Sequence, residues 1–311
     1  MVKRAASLSH DDAAPRPTFI IPGAAKSGTT YLARVLDAHP EVFMSYPKEP
    51  HFFVTEKPYG DTVRTWEDYL ALFRNANGCR AIGEASTAYI YHWEETSRRI
   101  AEFLPHCRIL ILVRNPVDRA YSMYWQNVRD AREPLSFEEA LAAEERRVRH
   151  RWEVSYHYTG IGYVADGIHR FTRVFGEDRV KVVLYDDLFD DVESTLSGIM
   201  RFLGVSETGY RVPRSRVNLS GQPRWTRLQA LMNEPGPVKR ALMGVTPRRL
   251  RRRVRERISA WNLRRAPRMA DDTRAQLVAR FDQEIAAIEE ITGRSLASWK
   301  KTAAEQPAAG D

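Results

Sequence analysis

Phe19-Ile20-Ile21-Pro22-Gly23-Ala24-Ala25-Lys26-Ser27-Gly28-Thr29-Thr30 decides how the rest of the chain is read. A short apolar run enters a turn of small residues. A lysine, a glycine and the hydroxyls of Ser27, Thr29 and Thr30 follow, and a helical pattern starts at Tyr31. Such a strand–loop–helix joint offers free backbone N–H groups at a helix N-terminus, where the partial positive charge favours phosphate or sulfate. Lys26 adds a mobile cation.

The nearest general pattern is the phosphate loop G-x-x-x-x-G-K-[ST]. Gly23 and Gly28 have its spacing, but the lysine precedes the second glycine and Thr29 fills the lysine slot. The loop is therefore expected to bind an anion without being a standard triphosphatase loop.

Outward from the loop, apolar runs alternate with helical patterns, which predicts an α/β fold with a central parallel sheet flanked by helices in three layers. Strands are expected at Val42–Met44, Ala81–Glu84, Arg108–Val113 and Val180–Leu184. Arg108–Val113 is apolar throughout, as a strand buried on both faces would be. Helices are expected over 30–38, 66–73, 137–149, 164–175, 191–203 and 273–291, with a further one beginning at Asn115-Pro116 as N-cap and first turn. The aromatic stripe Trp66, Tyr69, Leu70, Phe73 reads as core, and the Glu/Arg run of 137–149 as a solvated face.

Ligand sites in open α/β sheets form at the carboxyl ends of strands. Three groups stand there. Glu84 follows the apolar pair Ala81-Ile82 and ends its strand. Arg114 directly follows Val113 and suits bidentate phosphate binding, with Ser122 two turns along the next helix. Lys48 and His51 lie on a proline-rich loop after Val42–Met44. Farther on, Trp152–Tyr163 gathers aromatics and glycine around His157 and Tyr163.

The chain has 311 residues and a net charge of +8, which suits an anionic ligand. Its two cysteines, Cys79 and Cys107, form no C-x-x-C pair, so neither a disulfide framework nor a zinc site is expected, and a cytoplasmic location is. Residues 1–17 lack a signal-peptide apolar core. They are expected to be a flexible tail, as are residues 303–311, with one domain over 18–302. From Lys239 to Arg268 there are twelve Lys/Arg and one acid, Glu256. This basic segment, about 236–268, reads as a solvated helix face or as a contact for an anionic substrate or membrane surface.

These pieces together resemble the sulfotransferases that use 3′-phosphoadenosine 5′-phosphosulfate (PAPS). Pro22–Thr30 is similar to that family's phosphosulfate loop. Arg114–Tyr124, Arg-Asn-Pro-Val-Asp-Arg-Ala-Tyr-Ser-Met-Tyr, is similar to its 3′-phosphate block. Lys48-Glu49-Pro50-His51-Phe52-Phe53 resembles a segment of the heparan sulfate branch and its bacterial relatives.

The resemblance implies transfer of a sulfuryl group from PAPS to a hydroxyl or amine, without a metal and without nucleic acid as partner. Lys26, Ser27, Gly28, Thr29 and Thr30 would hold the phosphosulfate, and Arg114 and Ser122 the 3′-phosphate. Glu84 would be the general base, with Lys48 steadying the sulfuryl oxygens or the base. His51, His157 and Tyr163 would face a small-molecule, glycan or glycolipid acceptor. The catalytic histidine of the phenol and steroid branch has no counterpart. The late Lys-Gly-Arg loop of other relatives is represented only by Asn218–Arg224, with Arg224 as a cofactor ligand. Two other functions remain open: a P-loop nucleotide kinase, and a non-enzymatic binder of polyanions or membranes through 239–268.

Overall fold

The computed structural model describes residues 15–55, 63–210, 221–223 and 263–301. Five strands form one all-parallel sheet in the order β2-β3-β1-β4-β5. They are β1 (Phe19–Ile21), β2 (Val42–Met44), β3 (Ala81–Ala85), β4 (Arg108–Val113) and β5 (Val180–Leu184). The connections are helical: α1 (Thr29–Asp37), α2 (Trp66–Ala71), α3 (Trp93–Phe103), α4 (Pro116–Arg129), α5 (Phe137–Arg149) and α6 (Ala165–Phe175). After β5 come α7 (Asp187–Asp190) and α8 (Val192–Leu203), a short antiparallel pair β6 (Gly221–Pro223) and β7 (Leu263–Arg265), then α9 (Asp271–Arg280) and α10 (Asp282–Thr292).

The period-two alternation of the strands sorts the core into two layers. Phe19, Ile21, Leu110 and Leu112 pack on α1 and α8. Ile20, Ile82, Ile109 and Ile111 face the opposite way, onto a larger cluster with Tyr69, Phe73, Phe171 and Phe281. Leu110 and Leu112 are fully buried. Burial of one such side chain contributes roughly 1.5–3 kcal/mol. The same alternation puts Glu84 on the Ile82 face, inside the aromatic cluster.

Successive strands leave β1 in both directions, through β2 and β3 on one side and β4 and β5 on the other. The carboxyl end of β1 thus opens at the centre of the sheet, where the crevice of such folds lies. Local signals act as expected at α4: the Asn115 side chain accepts from Val117 N at 3.0 Å, with Pro116 in the first turn. The helix α8 stops at Gly204, whose φ of 76° suits glycine.

Two expectations are corrected. The helix expected over 273–291 is two, broken at Phe281, which turns wholly into the core beside Tyr163. The charged α5 is not solvated all round. Glu144 and Arg147 are buried, Arg147 in a two-pronged pair with Glu133 at 2.5 and 2.9 Å. The strand β5 is only half covered along Val180–Val182, because it is the sheet's edge. Arg224 and most of the basic 236–268 segment lie outside the described residues.

Candidate active site

The loop after β1 is held at its root by Ala24 N to Leu112 O (2.7 Å) and Leu112 N to Gly23 O (2.8 Å). This clamps it to the end of β4. Lys26 has φ 70° and Gly28, the residue before α1, has φ 89°. A Cβ at Gly28 would meet Leu188 Cδ1 and a Tyr185 ring carbon, both at 3.3 Å, so glycine is needed for conformation and for space. The first-turn N–H groups of α1 have no partner within the helix. Ser27 is fully buried, and among the described residues its Oγ has no hydrogen-bond partner. Thr29 is buried and Thr30 half-buried beside it.

Helix α4 brings the cations to this loop. Arg114, at the end of β4, donates from Nη1 to Lys26 O at 3.1 Å, and its guanidinium lies over the Tyr185 ring at 4.4 Å. Lys26 Nζ donates to Gln126 Oε1 at 2.7 Å. Ser122 lies on α4 one turn before Gln126 and about two turns, roughly 10 Å, beyond Asn115. It therefore sits between the two residues that grip the loop lysine from either end. Burial and the charges of Arg129 and Arg114 push the Lys26 pKa down to about 7, with Arg119 adding to the effect and Asp130 opposing it. Arg119 is almost wholly buried, and its Nε and Nη1 have no hydrogen-bond partner among the described residues. Sequence reading missed Arg119, Gln126 and Arg129. The three- and four-residue steps Asn115, Arg119, Ser122, Gln126, Arg129 on one helix face were the signal available.

The second half of the site is the loop between β2 and α2. Its partly exposed carboxylate is Glu49, which was not singled out although its neighbours Lys48 and His51 were. Glu49 Oε1 accepts from Lys48 Nζ at 2.5 Å and from Thr87 Oγ1 at 3.2 Å; His51 Nε2 is 3.5 Å from Oε2. Burial works to raise the Glu49 pKa. The hydrogen bonds and charges of His51 and Lys48 outweigh it and hold the pKa at about 2. Thr87 also lies close to the root of the phosphate loop: a Cβ at Gly23 would lie 3.1 Å from Thr87 O.

Glu84 lies beneath, with no exposed surface. Its carboxylate accepts from Ser86 Oγ at 2.8 Å and Tyr69 OH at 3.4 Å, with Tyr89 close by. Burial pushes its pKa up to about 7 against these bonds and the Lys48 charge.

His157 and Tyr163 face other partners. His157 Nδ1 is 2.9 Å from Tyr91 OH, and burial lowers its pKa. Tyr163 packs on Phe281, with its hydroxyl donating to Arg280 O at 3.4 Å. Both contacts are with the framework.

The sequence profile of the sulfotransferase family matches residues 17–209, the stretch that builds the whole sheet and both halves of this site. The chain belongs to the sulfotransferase family. Members of this family use PAPS as sulfuryl donor. A crystal structure of a sulfotransferase from Alicyclobacillus acidocaldarius is 30% identical and superposes with a TM-score of 0.71, over 92% of this chain and 100% of that one. Among characterised relatives, the human bifunctional heparan sulfate N-deacetylase/N-sulfotransferase 2 is 26% identical over 198 residues. A membrane-associated sulfotransferase, kil1, of Dictyostelium discoideum is 30% identical over 137 residues. The match spans 61% of this chain but 22% of the human protein, and 42% and 28% for kil1. Among the described residues no helix is long and apolar enough to cross a membrane.

The site fits the donor that the family uses. Ser27 has a buried hydroxyl with no partner, Gly28 leaves room that a side chain would fill, and Lys26, Arg114 and Arg129 supply positive charge at one place.

Proposed function

We propose that this sulfotransferase moves a sulfuryl group from PAPS to a hydroxyl or amine of a small-molecule, glycan or glycolipid acceptor, within a single domain of about residues 18–302. The observation that carries the reading is the loop lysine. Lys26 is bonded through its carbonyl to Arg114, and burial, with the charges of Arg129 and Arg114, lowers its pKa to about 7. Cations are gathered this way where an anion is to be bound.

The donor supplies a sulfuryl group activated by a phosphate leaving group. Ser27, Thr29, Thr30 and the first-turn N–H groups of α1 hold the phosphosulfate end, with Gly28 giving it room. Lys26 offsets the charge that grows on the leaving phosphate, an electrostatic role that is often the largest single contribution to catalysis. Arg114 and Ser122 bind the 3′-phosphate. Arg224, from the segment outside the described residues, remains a proposed further ligand.

Glu49 is the group we assign to take the acceptor's proton. It is a partly exposed carboxylate, bonded to Thr87 near the root of the phosphate loop and flanked by Lys48 and His51. Its low pKa in the free protein depends on Lys48 and His51. When Lys48 turns to the sulfuryl oxygens, the carboxylate loses that partner and becomes more basic. One observation favours a second reading, with Glu84 as base: its pKa of about 7 suits proton transfer near neutrality. Against it, Glu84 has no exposed surface and the hydroxyls of Tyr69 and Ser86 occupy its two oxygens.

The test supplies PAPS carrying radiolabelled sulfate with glycans, glycolipids, phenols and alkyl amines as acceptors. Label on an acceptor, with one adenosine bisphosphate released per label, is expected. A protein that leaves the donor intact but transfers the γ-phosphate of magnesium ATP would be a kinase and would overturn the proposal.

A further inference from the structure

The segment that carries Glu49 is an unusual piece of backbone. Glu49 and His51 both have positive φ, 63° and 51°, and neither is glycine. Residues in such conformations persist only where their surroundings hold them. The holding groups are visible. The N–H of Glu49 donates to Ala85 O at 3.1 Å. The N–H of His51 donates to Ser86 Oγ at 3.2 Å, and that of Phe53 to Tyr89 OH at 3.4 Å. Every second amide of the segment is thus accepted by β3 or the turn after it, the last two by side-chain hydroxyls instead of carbonyls.

A hydroxyl rotates freely unless its own proton is directed. Ser86 Oγ sends its proton to Glu84 Oε2 at 2.8 Å. With its proton so directed, the Ser86 oxygen turns a lone pair toward His51 N. Glu84 has no contact with solvent and stands among Tyr69, Phe53 and Tyr89, where a carboxylate gains nothing from packing.

We propose that Glu84 is a positioning residue: through Ser86 it locks the 49–53 backbone in its left-handed course and so fixes the direction of Glu49. The inference rests on Glu49 acting as base, but half of its test does not.

That half is amide hydrogen exchange at His51, read by NMR in the free protein. In Glu84→Ala and in the milder Ser86→Ala, this amide exchanges about 2- to 10-fold faster, as expected for one lost hydrogen bond. Turnover falls by about 10- to 100-fold through misplacement of the base, while KM for PAPS stays near the wild-type value. Glu84→Gln keeps an acceptor oxygen for a hydroxyl and recovers most of both losses. Glu84→Gln as inactive as Glu49→Gln, with exchange at wild-type rate, would make Glu84 the base and overturn the proposal. So would Glu84→Ala and Ser86→Ala variants with unchanged exchange. A fully active Glu49→Gln would remove the base assignment, whereas the exchange rates would still decide whether Glu84 anchors the loop.

Discussion

The two halves of the site are built by opposite means. On the donor side, the Lys26 loop and α4 rely on backbone groups at a helix N-terminus and on cations crowded together. Lys26 is gripped by Arg114 and Gln126, yet Ser27 Oγ and two Arg119 nitrogens have no partner among the described residues. On the proposed acceptor side, the alternate amides of the 49–53 loop, its carboxylate and the carboxylate beneath it are all bonded. One half crowds cations around a backbone cradle. The other holds two carboxylates in hydrogen bonds. Binding energy is expected to reside in the first and chemical activation in the second.

Substitutions can break this division. The largest effect is expected for Glu49→Gln, a loss of turnover of about 10²–10⁴-fold, as for removal of a general base. Affinity for 3′,5′-adenosine bisphosphate should stay near wild type; a weakened affinity would show that the halves are not separate. Lys26→Ala crosses the divide, since it both binds and stabilises the leaving group. Turnover should fall about 10²–10³-fold, and a variant that loses only affinity would confine Lys26 to binding. Arg114→Ala should weaken the bisphosphate by about 1.5–3 kcal/mol, the range for hydrogen bonds to charged groups, in a calorimetric titration.

A pH effect comes next. Lys26 titrates at about 7 in the free protein because burial and two arginines disfavour its charge. A bound bisphosphate favours that charge and raises the pKa. Above about pH 7 binding should therefore take up protons, and affinity should fall as pH rises. Titrations in two buffers of different ionisation heat would reveal the uptake; identical heats would contradict it. Smallest is Ser122→Ala, expected to cost the bisphosphate about 0.5–1.5 kcal/mol and to leave turnover at saturating donor unchanged.

The same division explains what could be read from the chain alone. The phosphate loop follows from local chemistry: an apolar strand, Gly23 and Gly28 at fixed spacing, and a helix start. Arg114 and Ser122 follow from a buried strand ending and a helix of known period. These are backbone properties, and they are local. Glu49 was passed over because its role depends on contacts distant in sequence, Thr87 among them, and on positive φ angles at two non-glycine residues. Glu84 was legible as a carboxylate on a strand near the crevice. Its position inside the aromatic cluster depended on which face of β3 it took and on how the 49–53 loop closed over it. The partners of His157 and Tyr163, Tyr91 and Phe281, come from remote parts of the chain and could not be read locally.

The most direct measurement is a calorimetric titration of the intact protein with 3′,5′-adenosine bisphosphate, set beside ATP with magnesium. PAPS-dependent sulfuryl transfer predicts saturable binding of the bisphosphate at one site per chain, lost or strongly weakened in Arg114→Ala, and much weaker binding of ATP. No heat for the bisphosphate, or preference for magnesium ATP, would contradict it.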